Sequence, residues 1–267
     1  MEDKIILENL QAKYDLLVAK GYDVLGVFLY GSQNYGTATE TSDIDARAIV
    51  IPKLHDLIFN TKPANTTIIC DNNEHIDVKD IRLMHENFIK QSTTYLEILF
   101  TKYAIINPIY AHLYQTVLSN RDAIVRLNEV RNIKNIAYMI QNRLKRMTHE
   151  RPGNEAYIKQ CGYDYKEFIN IIREYDLMKK YISHYGYDFC LDATDKIFIL
   201  SVKENPQMYS SDTAVYIASN FALKAMELYN VYQEKNKEQE DNKIIEMLNN
   251  VTYKIITTRI KQELNKK

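Results

Sequence analysis

The sequence predicts an α+β fold: a small sheet with flanking helices, followed by a helical domain. Three observations carry this expectation. Short apolar runs of strand length fall within the first 107 of 267 residues. After about residue 108, apolar residues recur near every 3.6 positions, the period of an amphipathic helix. Glycine and proline number only 7 and 5, too few for a flexible linker, so two domains would pack against each other. The expected division is 1–107 and 108–267.

Taken in order, Leu7, Leu10, Tyr14 and Leu17 share a helical spacing, and Gly21 is placed to end that helix. Val24 to Tyr30 is an apolar run that reads as a buried strand. A polar, turn-rich stretch from Gly31 to Ser42 follows. Asp43 to Ile51 reads as a second strand, stopped by Pro52. Thr66–Cys70 and His75–Lys79 read as two more, joined by a turn at Asp71-Asn72-Asn73. A helix then runs through Leu83, Phe88 and Ile89. Beyond residue 108 the helical pattern breaks only at Arg151-Pro152-Gly153, Gly162 and Tyr185-Gly186. Ile244, Leu248, Val251 and Ile255 share one face of a last helix, extended by Ile260 and Leu264. Packing of that face onto the body is preferred over a partner helix.

Composition excludes several classes. A hydrophobic share of 46% and a charged share of 26% are those of an ordinary globular protein. No stretch reaches the roughly 18 apolar residues of a membrane span, and Met1-Glu2-Asp3-Lys4 does not open a secretory signal. Cys70, Cys161 and Cys190 form neither a disulfide framework nor a zinc-like pair, so reduced thiols in a cytoplasm are expected. A net charge of -1 argues against broad electrostatic attraction to nucleic acid.

Chemistry concentrates between residues 30 and 47. Residues two apart in a strand face the same way, so Asp43 and Asp45 present two carboxylates about 7 Å apart with Ile44 turned to the core. Burying two acids together is costly unless a cation compensates. Hard oxygen ligands of this kind suit Mg²⁺, which takes one or two carboxylates plus substrate phosphates. Upstream, Gly31 allows close backbone approach. The Ser32 hydroxyl and N–H groups at a following helix start would hold phosphate oxygens. The order strand, Gly-Ser, short excursion, Asp-x-Asp thus places phosphate donors beside metal ligands.

These residues resemble the DNA polymerase β-like nucleotidyltransferase superfamily, whose signature is Gly-Ser, a spacer and Asp-x-Asp. The fuller run, Tyr30-Gly31-Ser32-Gln33-Asn34-Tyr35-Gly36 through Ser42-Asp43-Ile44-Asp45-Ala46-Arg47, is similar to a bacterial and phage branch of RNA-repair-associated type. The resemblance implies a small mixed sheet and a catalytic core at 1–107, with 108–267 closing a nucleotide cleft. It also implies a third carboxylate on an adjacent strand, for which Asp77 is preferred over Asp80, the latter reading as a helix cap. Leu96-Glu97-Ile98-Leu99-Phe100 matches a further segment of that branch, with Glu97 structural or acceptor-side rather than catalytic.

In the helical part, Lys166, Asn170 and Arg173 fall at i, i+4 and i+7 on one face. The resembling families often carry Lys, His and Arg there, so Asn170 departs from the pattern. Lys166 and Arg173 would neutralise triphosphate charge, or form a surface basic stripe. Arg131, Lys134, Arg143, Lys145, Arg146 and Arg151 form a second basic cluster, with Tyr138 and His149 interspersed. They would track an RNA backbone or line a solvated helix face.

The expected activity is metal-dependent transfer of a nucleoside monophosphate from an NTP to an acceptor hydroxyl, an RNA or tRNA end first. Asp43, Asp45 and Asp77 would hold two Mg²⁺ ions, with Mn²⁺ as an alternative. Catalysis falls to these three and Ser32, and nucleotide binding to Gly31, Ser32, Tyr35, Arg47, Lys166 and Arg173. A protein side chain or a small molecule is the alternative acceptor. A module that binds nucleotide without turnover is the remaining alternative.

Overall fold

The structure is a computed structural model and describes residues 3–40, 42–70 and 74–265. The Asp71-Asn72-Asn73 turn lies outside the described residues. Helix α1 (Asp3–Ala19) leads into strands β1 (Asp23–Leu29) and β2 (Ala46–Ile51), then helix α2 (Leu54–Ile58). Strands β3 (Asn65–Ile69) and β4 (His75–Asp80) precede helices α3 (Ile81–Ile89) and α4 (Thr93–Leu96). Strand β5 (Ala104–Ile106) comes next, followed by α5 (Pro108–Ser119), α6 (Arg121–Val125), α7 (Glu129–Met147) and α8 (Glu155–Cys161). The chain continues through α9 (Tyr165–Ile182), α10 (Tyr187–Leu191), α11 (Lys196–Glu204), α12 (Ser211–Lys235) and α13 (Asn242–Asn265).

Two compact units emerge. The sheet unit gathers the described residues of 1–34, 40–127 and 240–267, and the helical unit those of 35–39 and 128–239. This division differs from the expected boundary at 107/108. Helices α5 and α13 belong with the sheet because their apolar residues line its second face. The short segment 35–39 groups with the helices instead.

Within the sheet unit the strand order is β3-β4-β2-β1-β5. Strand β1 runs antiparallel to β2 and β5, β3 antiparallel to β4, and β2 parallel to β4. The sheet is therefore mixed, and the protein is α+β. Period-two alternation sends Ala46, Ala48 and Val50 of β2 to one face, where Ile6, Leu10 and Leu17 of α1 cover them with Val24, Val27, Ile76 and Val78. Each fully buried Leu or Ile there contributes roughly 1.5–3 kcal/mol. On the other face, Leu25 and Ile49 meet Ile81, Met84 and Phe88 of α3, Tyr114 of α5, and Leu248 and Ile255 of α13 around a small apolar cavity. The last helix thus packs onto the body. Leu248, Val251 and Ile255 are buried, whereas Leu264, expected to extend the stripe, is exposed.

In the helical unit, α7, α9 and α12 pack against one another, and α10 and α11 lie on α9. Ala214, Ala218, Ala222 and Ala225 of α12 are all buried. Their small side chains allow the helix backbones to approach closely. Helix α9 starts where expected, because Asp164 accepts from the N–H groups of Lys166 and Glu167. Asp80 caps α3 in the same way, through Arg82 N–H.

Candidate functional site

Strand β1 ends at Leu29, yet its ladder continues one step, since Tyr30 N–H donates to Asp45 O at 3.2 Å. Gly31 follows with φ +89°, a left-handed conformation that side-chain-bearing residues rarely adopt. Its N–H donates to Glu97 Oε1 at 3.1 Å, so the buried Glu97 pins the Gly-Ser turn, in keeping with a structural role. Asn34 N–H closes that turn on Gly31 O at 2.9 Å. The Asn34 side chain donates to Leu29 O and accepts from the Thr101 hydroxyl. Residues 32–36 are turns rather than helix. The helix start expected after Ser32 is therefore absent, because local Asn34 bonds and the two left-handed glycines, Gly31 and Gly36, curl the chain instead. Gln33, which sequence reasoning passed over, keeps its Nε2 buried without a hydrogen-bond partner among the described residues.

Asp43 and Asp45 sit just before β2 rather than within the strand as expected. The alternation still holds: Ile44 joins the core, Asp43 is exposed and Asp45 is half-buried. Burial raises the Asp45 pKa and the charge of Asp43 raises it further, while His75 opposes both. His75 N–H donates to Asp45 Oδ1 at 3.2 Å, and His75 Nδ1 lies 3.5 Å from the same oxygen.

Asp77 stands opposite Arg47 in the parallel β2/β4 register. Arg47 Nε donates to Asp77 Oδ2 at 2.9 Å, and Lys79 Nζ lies 3.2 Å from Asp77 Oδ1. The Arg47 guanidinium is buried, stacks 4.0 Å over the Tyr95 ring and 4.6 Å over Tyr30, and donates to Thr94 O. Its visible bonds are thus architectural. Burial lifts the Tyr30 hydroxyl pKa well above its ordinary value of 10, with Asp45, Asp77 and Glu97 adding to the rise and Arg47 opposing it. All three carboxylates therefore act on one phenol.

Asp43 and Asp45 suit a hard cation. They are two oxygen donors whose charges repel, one of them also disfavoured by burial. Asp77 fits less well, since both its oxygens face cationic side chains. Among the described residues, no group of three or more His, Cys, Asp or Glu side chains is gathered so as to hold a metal ion.

The helical unit holds a different cluster. Arg173 is buried, its guanidinium 3.7 Å over the Tyr35 ring and its Nε bonded to Asn170 Oδ1. Lys166 is exposed near the Tyr157 ring. Lys203, on α11, donates to Thr37 O at 2.6 Å. Burial lowers the Lys203 pKa, and the charges of Lys166 and Arg173 lower it further. Three cations therefore lie within electrostatic reach of one another. Nothing in the local sequence marks Lys203; only the packing of α11 on α9 brings it there.

The second basic cluster is largely neutralised. Arg143 bonds Glu174 at 2.7 Å and Glu167 at 2.6 Å, Arg146 bonds Glu167 at 3.1 Å, and Arg151 bonds both Asp164 and Glu167. Arg131 pairs with Glu238. Four of the six cations of this cluster are thus paired with acids. The three cysteines are free thiols, and among the described residues no helix is long and apolar enough to cross a membrane.

No protein-family model and no curated protein matches this chain in sequence.

Proposed function

We propose that this chain is a metal-dependent nucleotidyltransferase with a polymerase β-like core, moving a nucleoside monophosphate from an NTP to an acceptor hydroxyl. An RNA or tRNA end is the first acceptor. The single observation that supports this most is the Asp43/Asp45 pair. Asp43 and Asp45 flank the buried Ile44, and Asp45 O accepts from the N–H of Tyr30, the residue preceding Gly31-Ser32. Asp45 is half-buried beside a like charge, an arrangement that costs stability unless a cation binds.

When bound, Mg²⁺ or Mn²⁺ supplies Lewis acidity toward the phosphates and the attacking hydroxyl. Asp43 and Asp45 are the residues that would hold it. Gly31 and Ser32 offer backbone approach and a hydroxyl to phosphate oxygens, and Gln33 Nε2 adds an unused donor. In the reaction the acceptor oxygen bonds the α-phosphorus, the α–β bridging bond breaks, pyrophosphate departs, and the hydroxyl proton passes to solvent. In the helical unit, Lys166, Arg173 and Lys203, with Tyr35 stacked on Arg173, are assigned to phosphate binding. Arg47 is assigned to holding Tyr30, Tyr95 and Asp77 in place. Positioning and charge stabilisation carry the rate, with no covalent enzyme intermediate.

One observation favours a second reading, nucleotide binding without turnover: Asp77 is engaged by Arg47 and Lys79. The deciding experiment incubates the protein with each α-labelled NTP, Mg²⁺ or Mn²⁺, and total RNA or lysate. The expected result is label in RNA, lost at least about 100-fold in Asp43→Ala. Label in protein or in a small molecule changes the acceptor. Absence of label with retained NTP binding supports the second reading.

A further inference from the structure

We propose that Glu74 is a positioning residue that fixes the backbone between Asp43 and Asp45, an inference resting on the assignment of those two carboxylates as the metal-holding pair. Glu74 is 8% exposed and sits one residue before β4. Its Oε1 accepts from Ile44 N–H at 3.1 Å. Its Oε2 accepts from Asn9 Nδ2 at 2.8 Å and from Lys13 Nζ, both on α1. Lys13, itself 3% exposed, also donates to Asn9 Oδ1.

The geometry explains why a side chain is needed there. The parallel β2/β4 ladder begins only at the Ala46–Ile76 pair, so Ile44 N–H precedes it and has no partner in that ladder. Glu74 reaches across and supplies the missing acceptor. In return, His75 N–H donates to the Asp45 carboxylate at 3.2 Å. Segments 43–45 and 74–75 thus exchange side-chain-to-backbone bonds in both directions, and the dihedral freedom of the carboxylate pair is taken up by them.

Charge bookkeeping supports the same role. An unneutralised Glu74 would add a third negative charge beside Asp43 and Asp45. Lys13 offsets that charge through its ion pair with Glu74 Oε2. A buried ion pair is a poor source of stability compared with apolar packing. A device of this kind is better accounted for by the geometry it imposes. Neither Lys13 nor Asn9 touches the carboxylates; both act through Glu74.

The test uses the full chain and Mn²⁺ as the probe, with affinity read by electron paramagnetic resonance and amide exchange of Ile44 by NMR. Glu74→Ala should accelerate Ile44 exchange about tenfold and weaken Mn²⁺ binding about tenfold. The double variant Lys13→Met with Glu74→Gln keeps an acceptor for Ile44 without leaving an ammonium unpaired. It should restore both values to within about threefold of wild type. Leu10→Ala, a core change on the same helix, controls for lost stability: it should lower the melting temperature and leave Mn²⁺ affinity unchanged. Mn²⁺ binding unchanged in Glu74→Ala, or weakened equally in Leu10→Ala, overturns the positioning role. A wild type that binds no Mn²⁺ overturns the metal assignment itself. Ile44 exchange then decides the anchor independently, since unchanged exchange in Glu74→Ala overturns it.

Discussion

The α7/α9 seam of the helical unit and the Asp43/Asp45 segment of the sheet unit treat charge in opposite ways. Between α7 and α9, Arg143 is pressed against Glu167 and Glu174, and Arg146 and Arg151 close on Glu167. Burial opposes the charge of Arg143, yet Glu174 and Glu167 raise its pKa overall. Each charge there has an opposite partner. In the sheet unit, Asp45 is half-buried beside Asp43 and its pKa rises. Lys203, within the helical unit, is likewise pushed down by burial and two neighbouring cations. Matched charge holds helices together. Like charge gathered in one place lowers stability and leaves field for a ligand of opposite sign.

The largest effect should come from breaking a matched cluster. Arg143→Met removes the cation shared by Glu167 and Glu174, and leaves Glu174, which is 1% exposed, with Arg173 at 3.4 Å as its remaining cation. Urea unfolding should show a loss of about 3–5 kcal/mol. A loss under about 1 kcal/mol would place these pairs among the weak surface kind and erase the contrast.

An intermediate effect is expected from the Lys166, Arg173 and Lys203 group, in which Arg173 also lies 3.4 Å from Glu174. Lys203→Met removes one of three mutually repelling cations. Pyrophosphate binding, measured by calorimetry, should weaken about tenfold, a cost of about 1.4 kcal/mol. Thermal stability should hold or rise, because a desolvated charge has been removed. A lower melting temperature with unchanged pyrophosphate affinity would make Lys203 a structural residue.

The smallest effect concerns a half-buried titratable group. His85 on α3 faces Thr252 Oγ1 at 3.3 Å. Burial lowers its pKa below 6.5, while a hydrogen bond with Asn249 and the charge of Glu86 oppose the shift. Between its folded pKa and 6.5 the unfolded chain binds more protons than the folded one. Stability therefore falls as pH drops through that window, and its cost is fully present below it. His85→Gln should flatten this part of the stability–pH curve. An unchanged slope between pH 6.5 and 5 would assign the acid sensitivity elsewhere.

Much of the sheet unit was legible because its signals are local. Val24–Tyr30 and His75–Lys79 are apolar or alternating runs with turn residues around them, and they form β1 and β4 within a residue or two. The Asp43-Ile44-Asp45 alternation survives even though β2 begins at Ala46. The turn at Ser32 was less legible. A Gly-Ser step permits a helix start, but Asn34 side-chain bonds to Leu29 and Thr101, and the left-handed φ of Gly31 and Gly36, redirect it. The boundary at 107/108 marked a real change of periodicity. It could not show that α5 and α13 cover the sheet, since an apolar stripe does not name the surface that will bury it.

By itself, the sequence indicated four of the five strands, the alternation of Asp43, Ile44 and Asp45, the cap at Asp80, and the free state of three scattered thiols. These depend on period, turn chemistry and neighbours within a few residues. Only the tertiary structure decided which charges meet. Lys13 finds Glu74 across 61 residues, Arg47 finds Asp77 across 30, and Lys203 reaches Thr37 across 166. Coulomb interactions act through space and not along the chain. Whether a basic residue becomes a strut or part of a binding surface is therefore settled by packing, after the elements have formed.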